Sequence, residues 1–185
     1  MSEKASAAIR ACTVFTIGHS TRSLEELVSL LIAWNIDVLA DVRSAPRSRR
    51  NPQFNADTLP ASLSDDGIDY VRLPELGGWR RPRADSPNTA WRLESFRGFA
   101  DYMMTDEFRA ALDDLIARAC AGRNLAFMCA EAVPWRCHRS LIADALTARG
   151  YEVRHIVGVD KAAPHRMTPF ASVEGKLVTY PHVSA

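Results

Sequence analysis

Lysine is nearly missing from this chain of 185 residues: Lys4, Lys161 and Lys176 stand against twenty arginines among 23 basic residues. With 22 acidic residues the formal net charge is +1. No global field therefore steers the chain onto nucleic acid or anionic lipid, and any polyanion contact must be local. Cysteine is sparse. Cys12, Cys120, Cys129 and Cys137 have neither CxxC spacing nor the density of a secreted scaffold, and read as reduced thiols of a cytoplasmic protein. Long apolar runs are lacking too. Leu30 to Trp34 and Leu125 to Ala130 are far too short to span a bilayer, so no membrane partner is expected. Residues 1–11 lack the continuous apolar stretch of a signal peptide and read as a disordered tail. Also missing are GxGxxG, GxxxxGK[ST] and a cysteine followed by arginine after five residues. Their absence disfavours a dinucleotide cofactor of the usual kind, P-loop hydrolysis and a phosphatase-type thiol loop, and leaves the cofactor unknown.

What remains is the composition of an ordinary globular chain, 47% hydrophobic and 24% charged, with residues 12–185 read as a single domain. A chain of this length buries roughly 70% of its unfolded surface without disulfides or metal. Val14 to Gly18 is a short apolar strand, and Ser23 with Glu26 forms a capping-box pattern ahead of a helical run. Ile36 to Val42 is a second strand. A basic loop and a short helix lead to Gly67 and a third strand, Ile68 to Leu73. Helices are predicted over residues 94–104 and 106–121, then a fourth strand, Leu125 to Cys129, a helix over 136–149 and a fifth strand, Tyr151 to Val157. The segment 168–180 reads as a hairpin. Strands alternating with helices imply an α/β fold: a three-layer, open, mostly parallel five-stranded sheet, Rossmann-like, with helices on both faces and a C-terminal hairpin.

In such a sheet the strand C-termini form one rim, outside which ligands bind. Here that rim collects His19 and Ser20, Asp41 and Arg43, Glu75 with Gly77 and Gly78, then Cys129 and Glu131, and finally Arg136, Cys137, His138 and Arg139. Asp41 beside Arg43 reads equally as a structural ion pair. Cys129 at the end of an apolar strand is by base rates a small buried hydrophobe, whereas Glu131 after a buried strand needs a cation or water. Cys137 in the first turn of a helix, between Arg136 and Arg139, is expected to favour its thiolate. Cys12 and Cys120 read as packing residues. Zinc on Cys129, Cys137 and His138 is disfavoured, because adjacent ligands on a helix project about 100° apart, so no metal is expected.

The segments TIGHS at 16–20, DVRSAPRSRRNPQF at 41–54, LPELGG at 73–78, FADYM at 99–103, CAE at 129–131 and CHR at 137–139 resemble the bacterial and archaeal family known as domain of unknown function 488. The resemblance spans roughly residues 14–180. It brings no reaction, substrate or cofactor. It does single out Gly18, His19, Ser20, Asp41, Arg43, Gly77, Gly78, Cys129, Glu131, Cys137, His138 and Arg139, which agrees with the rim reached from strand order.

The leading expectation is an enzyme acting on a phosphorylated or nucleotide-like substrate at that rim. Cys129, Glu131, Asp41, His19 and His138 are its catalytic candidates, while Ser20, Arg43, Gly77, Gly78, Cys137 and Arg139 hold a small anionic molecule. The competing reading is a non-catalytic nucleic-acid or nucleotide-binding module using Arg43 to Arg50 and Arg80 to Arg92 with Trp79 and Trp91. A metal or redox role through Cys129, Cys137 and His138 is third.

Overall fold

The computed structural model describes residues 12–182, so the expected tail over residues 1–11 lies outside the described residues. The chain runs through β1 (Thr13–Gly18), α1 (Leu24–Ala33), β2 (Val38–Asp41), α2 (Leu59–Ser64), β3 (Asp69–Arg72), α3 (Glu94–Tyr102), α4 (Asp106–Ala119), β4 (Leu125–Cys129), α5 (Arg139–Ala148) and β5 (Glu152–Gly158). Then follow β6 (Lys161–Pro164), β7 (Ser172–Glu174) and β8 (Leu177–Thr179). The sheet order is β3-β2-β4-β1-β5-β6, with β7 and β8 paired separately. The first five strands are parallel and β6 is antiparallel to β5. The fold is α/β with a C-terminal antiparallel hairpin. The sixth strand was not expected, because its four residues, KAAP, carry no strand periodicity of their own and pair only with β5.

Strand side chains alternate between faces. Val14, Val38, Ala40, Leu125, Phe127 and Val153 pack with α3, α4 and α5. Ile17, Leu39, Ala126, Met128 and Ile156 face the other way, onto α1 and α2. Both faces are therefore covered, as parallel sheets require. The same alternation sorts the rim. Cys129 continues the Leu125–Phe127 row toward α5, whereas Asp41 continues Leu39 toward α1 and α2.

Local signals fix the helix starts. Ser23 and Glu26 form the expected capping box at α1, with reciprocal bonds of 3.1 and 2.8 Å that satisfy two orphan N–H groups. Thr105 caps α4 through the Phe108 amide. α5 begins at Arg139, three residues later than expected. Pro134 starts a separate 3-10 turn over Pro134–Arg136, and Cys137 is extended at φ −137° before the helix can begin. The hairpin closes over α5, where fully buried Tyr180 bonds the Asp144 carboxylate through its hydroxyl at 2.8 Å.

Candidate functional site

The α1/α2 side of the rim holds a closed ionic cluster. Asp41, with no exposed surface, accepts from the Arg43 amide and Nε at 3.0 and 2.9 Å through Oδ1, and from Arg43 Nη2 at 2.6 Å through Oδ2. The Tyr70 hydroxyl also donates to Oδ2, and burial beside that carboxylate pushes the phenol far up. Arg43 Nη2 donates again to the Phe54 carbonyl, and Nη1 faces His19 Nε2 at 3.1 Å. His19 Nδ1 lies 2.9 Å from the Ser20 carbonyl. A carbonyl only accepts, so Nδ1 carries the proton and Nε2 is the bare acceptor of Arg43. Burial pushes His19 down to about 4, against the Ser20 hydrogen bond that raises it, so the ring is neutral at pH 7. Four of the five Arg43 side-chain N–H groups are used inside this cluster.

The α5 side is organised around sulfur. Cys129 and Cys137 are buried, unbridged and line one cavity of about 270 Å³ together with Arg43, Gly78, Trp79, Glu131 and His138. His138 Nε2 lies 3.1 Å from the Val42 carbonyl, which makes it the protonated nitrogen. Its bare Nδ1 faces Cys137 Sγ at 3.4 Å. Burial, with Arg139 adding to it, holds His138 down at about 4. Its ring is clamped between Phe99 and Gly78, where a Cβ would come within 2.5 Å of Nδ1.

Arg139 is the outlier. It is 1% exposed, and Nη2 donates to the Ala132 carbonyl at 3.2 Å. Nε and Nη1 have no hydrogen-bond partner, and among the described residues no carboxylate pairs with it. Gly18 makes room for it: a Cβ there would lie 2.9 Å from Arg139 Nη1 and 1.7 Å from the Glu131 carbonyl. A buried guanidinium requires a counter-charge. The Cys129 thiol lies beside it, with Sγ 3.7 Å from the Glu131 carbonyl. Burial raises that thiol, but a hydrogen bond from Cys137 and the Arg139 charge outweigh the rise, and the net direction is down. Cys137 goes the other way. Its contact with Cys129, burial and like-charge repulsion push it far up. Cys137 sits before α5 instead of in its first turn, and the two thiols titrate as a coupled pair.

The rim residues do not all meet. Arg43, Gly78, Cys129, Glu131, Cys137 and His138 share the cavity, with Arg136, Ser44 and Phe96. Asp41 and His19 lie behind Arg43, Arg139 lies behind Cys129, and Ser20 and Gly77 are off the cavity wall. Ser20 instead occupies the left-handed region at φ 51° and ties the loop to the Ala130 carbonyl. Gly77 packs against Ser44, whose Oγ would be 2.4 Å from a Cβ.

A family model described as "Domain of unknown function DUF488" matches residues 23–146. The chain belongs to the DUF488 family. Neither a curated protein nor a solved structure matches it. Two features of this DUF488 chain were not foreseen. Cys12 and Cys120, expected as reduced packing residues, form a disulfide with Cα atoms 5.5 Å apart, at the opposite end of the sheet from the cavity. Cysteine usage therefore does not point to a reducing compartment. The second is a buried polar chain beside α5. The Thr16 hydroxyl lies 2.8 Å from His155 Nδ1, His155 Nε2 is 3.0 Å from His165 Nδ1, and His165 Nε2 is 2.8 Å from Asp144. Among the described residues no helix is long and apolar enough to cross a membrane, and no cluster of three or more His, Cys, Asp or Glu side chains could hold a metal ion.

Proposed function

We propose that the rim cavity is the active site of a thiol enzyme, with Cys129 as nucleophile and a small anionic substrate of the phosphorylated or nucleotide-like class. The observation that carries this reading is the carboxylate-free, buried Arg139 beside Cys129. A structural arginine is normally paired, as Arg43 is with Asp41, whereas a guanidinium left facing a thiol stabilises the thiolate, the nucleophilic form. Arg136 and the exposed Trp79 stand at the cavity wall, where they supply charge and a ring face to an anionic or base-bearing ligand. Asp41 and His19 serve this site by fixing Arg43, and Glu131 is the one carboxylate among the described residues that line the cavity.

The binding-module reading has less support. Arg43 is consumed by Asp41, Arg80 lies over the Tyr102 ring at 3.7 Å, and Arg83 pairs with Asp85. Trp91 is packed among Phe96, Phe170 and Tyr180, not presented to a base.

The test is the pH dependence of iodoacetamide alkylation at Cys129, read by peptide mass mapping. Cys129 is expected to titrate below the ordinary thiol value of about 8.5. Arg139→Met should move the midpoint upward by about one unit or more, while Arg139→Lys keeps most of the depression. Adenosine monophosphate should slow the reaction by occupying the cavity. A midpoint at the ordinary value that ignores both substitutions overturns the nucleophile assignment. Normal alkylation without protection overturns the substrate class.

A further inference from the structure

Two buried thiols facing one cavity, with the buried Arg139 behind it, is an arrangement that packing alone does not require. Cys129 and Cys137 are the two free cysteines among the described residues, both line the same 270 Å³ space, and they are near enough for each to shift the other's ionisation. Cys137 Sγ lies 3.4 Å from the bare His138 Nδ1, and Cys129 Sγ lies 3.7 Å from the Glu131 carbonyl.

We infer that Cys129 and Cys137 form a charge-sharing dithiol that reduces small anionic disulfides, Cys129 attacking and Cys137 resolving the intermediate. This rests on Cys129 as the nucleophile and extends that reading to a second reaction of the same thiol. The steps balance as follows. The Cys129 thiolate attacks one sulfur of a disulfide RSSR, forms the Cys129–S–S–R bond and expels RS⁻. That RS⁻ takes the Cys137 proton and leaves as RSH. The resulting Cys137 thiolate attacks Cys129 Sγ, forms the intramolecular disulfide and expels the second RS⁻. Two electrons pass from the dithiol to RSSR.

The order follows from the electrostatics. While Cys129 is ionised, its hydrogen bond with Cys137 and its repulsion hold the second thiol protonated. Capping Cys129 removes both effects at once and leaves Arg139 without its anion. The charge then moves to Cys137, next to the sulfur it must attack. Such a pair titrates as a unit, with the proton belonging to the dyad, and exchange proceeds fastest from the sulfur holding the thiolate. A cavity of this volume admits a low-molecular-weight disulfide, and Arg136 on its wall suits a carboxylate-bearing one.

The experiment treats the whole chain with glutathione disulfide and follows intact mass and peptide maps. These distinguish a Cys129–Cys137 bond from the Cys12–Cys120 bond at the far end of the sheet. The wild type should lose two hydrogens with no lasting adduct. Cys137→Ala should stop at a glutathione adduct on Cys129, and Cys129→Ala should slow adduct formation by about tenfold or more. Cys137→Ser, closer in shape, repeats the adduct result if the alanine variant folds poorly. A persistent adduct on the wild type overturns the dithiol, even where Cys129 alkylates at a depressed pH as proposed above. Adducts formed equally fast at Cys137 in the Cys129→Ala variant overturn the assigned order. Disulfide formation in a protein whose Cys129 alkylation adenosine monophosphate does not slow removes the substrate class proposed above and leaves the dithiol in place.

Discussion

Replacing Asp41 by alanine measures whether the rim cluster is structural or chemical. The carboxylate accepts four donors, three of them from Arg43, whose side chain is 8% exposed. Without it Arg43 keeps only the Phe54 carbonyl and His19 Nε2, and a guanidinium remains in the interior with no counter-charge. Breaking a buried pair from one side costs about 3–5 kcal/mol, a large share of the roughly 5–15 kcal/mol available to a folded chain. At about 2–4 °C per kcal/mol for a chain of this size, the melting temperature should fall by about 6–20 °C. Urea unfolding gives the free energy directly. The double variant Asp41→Ala/Arg43→Met should recover part of the loss, because both ends of the pair are then gone and the Met side chain retains some of the apolar contact. Alkylation of Cys129 should keep its pH midpoint in whatever fraction stays folded. A loss below about 1 kcal/mol, or a double variant no more stable than the single one, would show that Arg43 reaches water and that the cluster is not closed. A shifted Cys129 midpoint would place Asp41 in the chemistry.

Two further outcomes follow from the same geometry. Burial holds His19 and His138 down at about 4 and His155 at about 3, against an ordinary value near 6.5. The unfolded chain therefore binds protons that the native chain refuses between those limits. Stability should be full above about pH 6.5 and decline as the pH falls toward about 4, read as a falling urea midpoint; a flat profile between about pH 7 and about pH 5 would refute it. Gly18→Ala should cost about 1–3 kcal/mol in thermal or urea unfolding, since its Cβ would collide with the Glu131 backbone and press on Arg139. A neutral effect would mean that the loop after β4 yields freely.

Much of this architecture is legible in the residues. The alternation of apolar runs with amphipathic stretches gives the five parallel strands and their helices, and the Ser23/Glu26 pattern gives the start of α1. The Asp41–Arg43 pair is local, two residues apart, and could be read as an ion pair before its burial was known. The rim follows from strand order, but not which rim residues share a wall. That depends on side-chain parity along β2 and β4, which sends Asp41 and Cys129 to opposite faces. The start of α5 differs from the expected one because Pro134 begins its own short turn, which places Cys137 ahead of the helix. Cys12 and Cys120 are 108 residues apart, and no spacing rule joins them. The Thr16–His155–His165–Asp144 chain gathers residues from β1, α5, β5 and the stretch after β6, each unremarkable where it stands in the sequence.

The place of β1 has a consequence for how the chain assembles. It is the first of the described strands in chain order, yet it lies inside the sheet between β4 and β5, with Phe15 paired to both Ala126 and Arg154. Neither neighbour exists until most of the chain has been made. Closing loops of that length precedes the pairing that rewards it, so folding should be governed by non-local contacts and be slow for its size. Until β4 and β5 arrive, the apolar β1 exposes both edges to any other unpaired strand. The stretch 23–146 matched by the family model carries β2, β3 and β4 but omits β1, and expressed alone it would leave β4 with a bare edge at what is the middle of the native sheet.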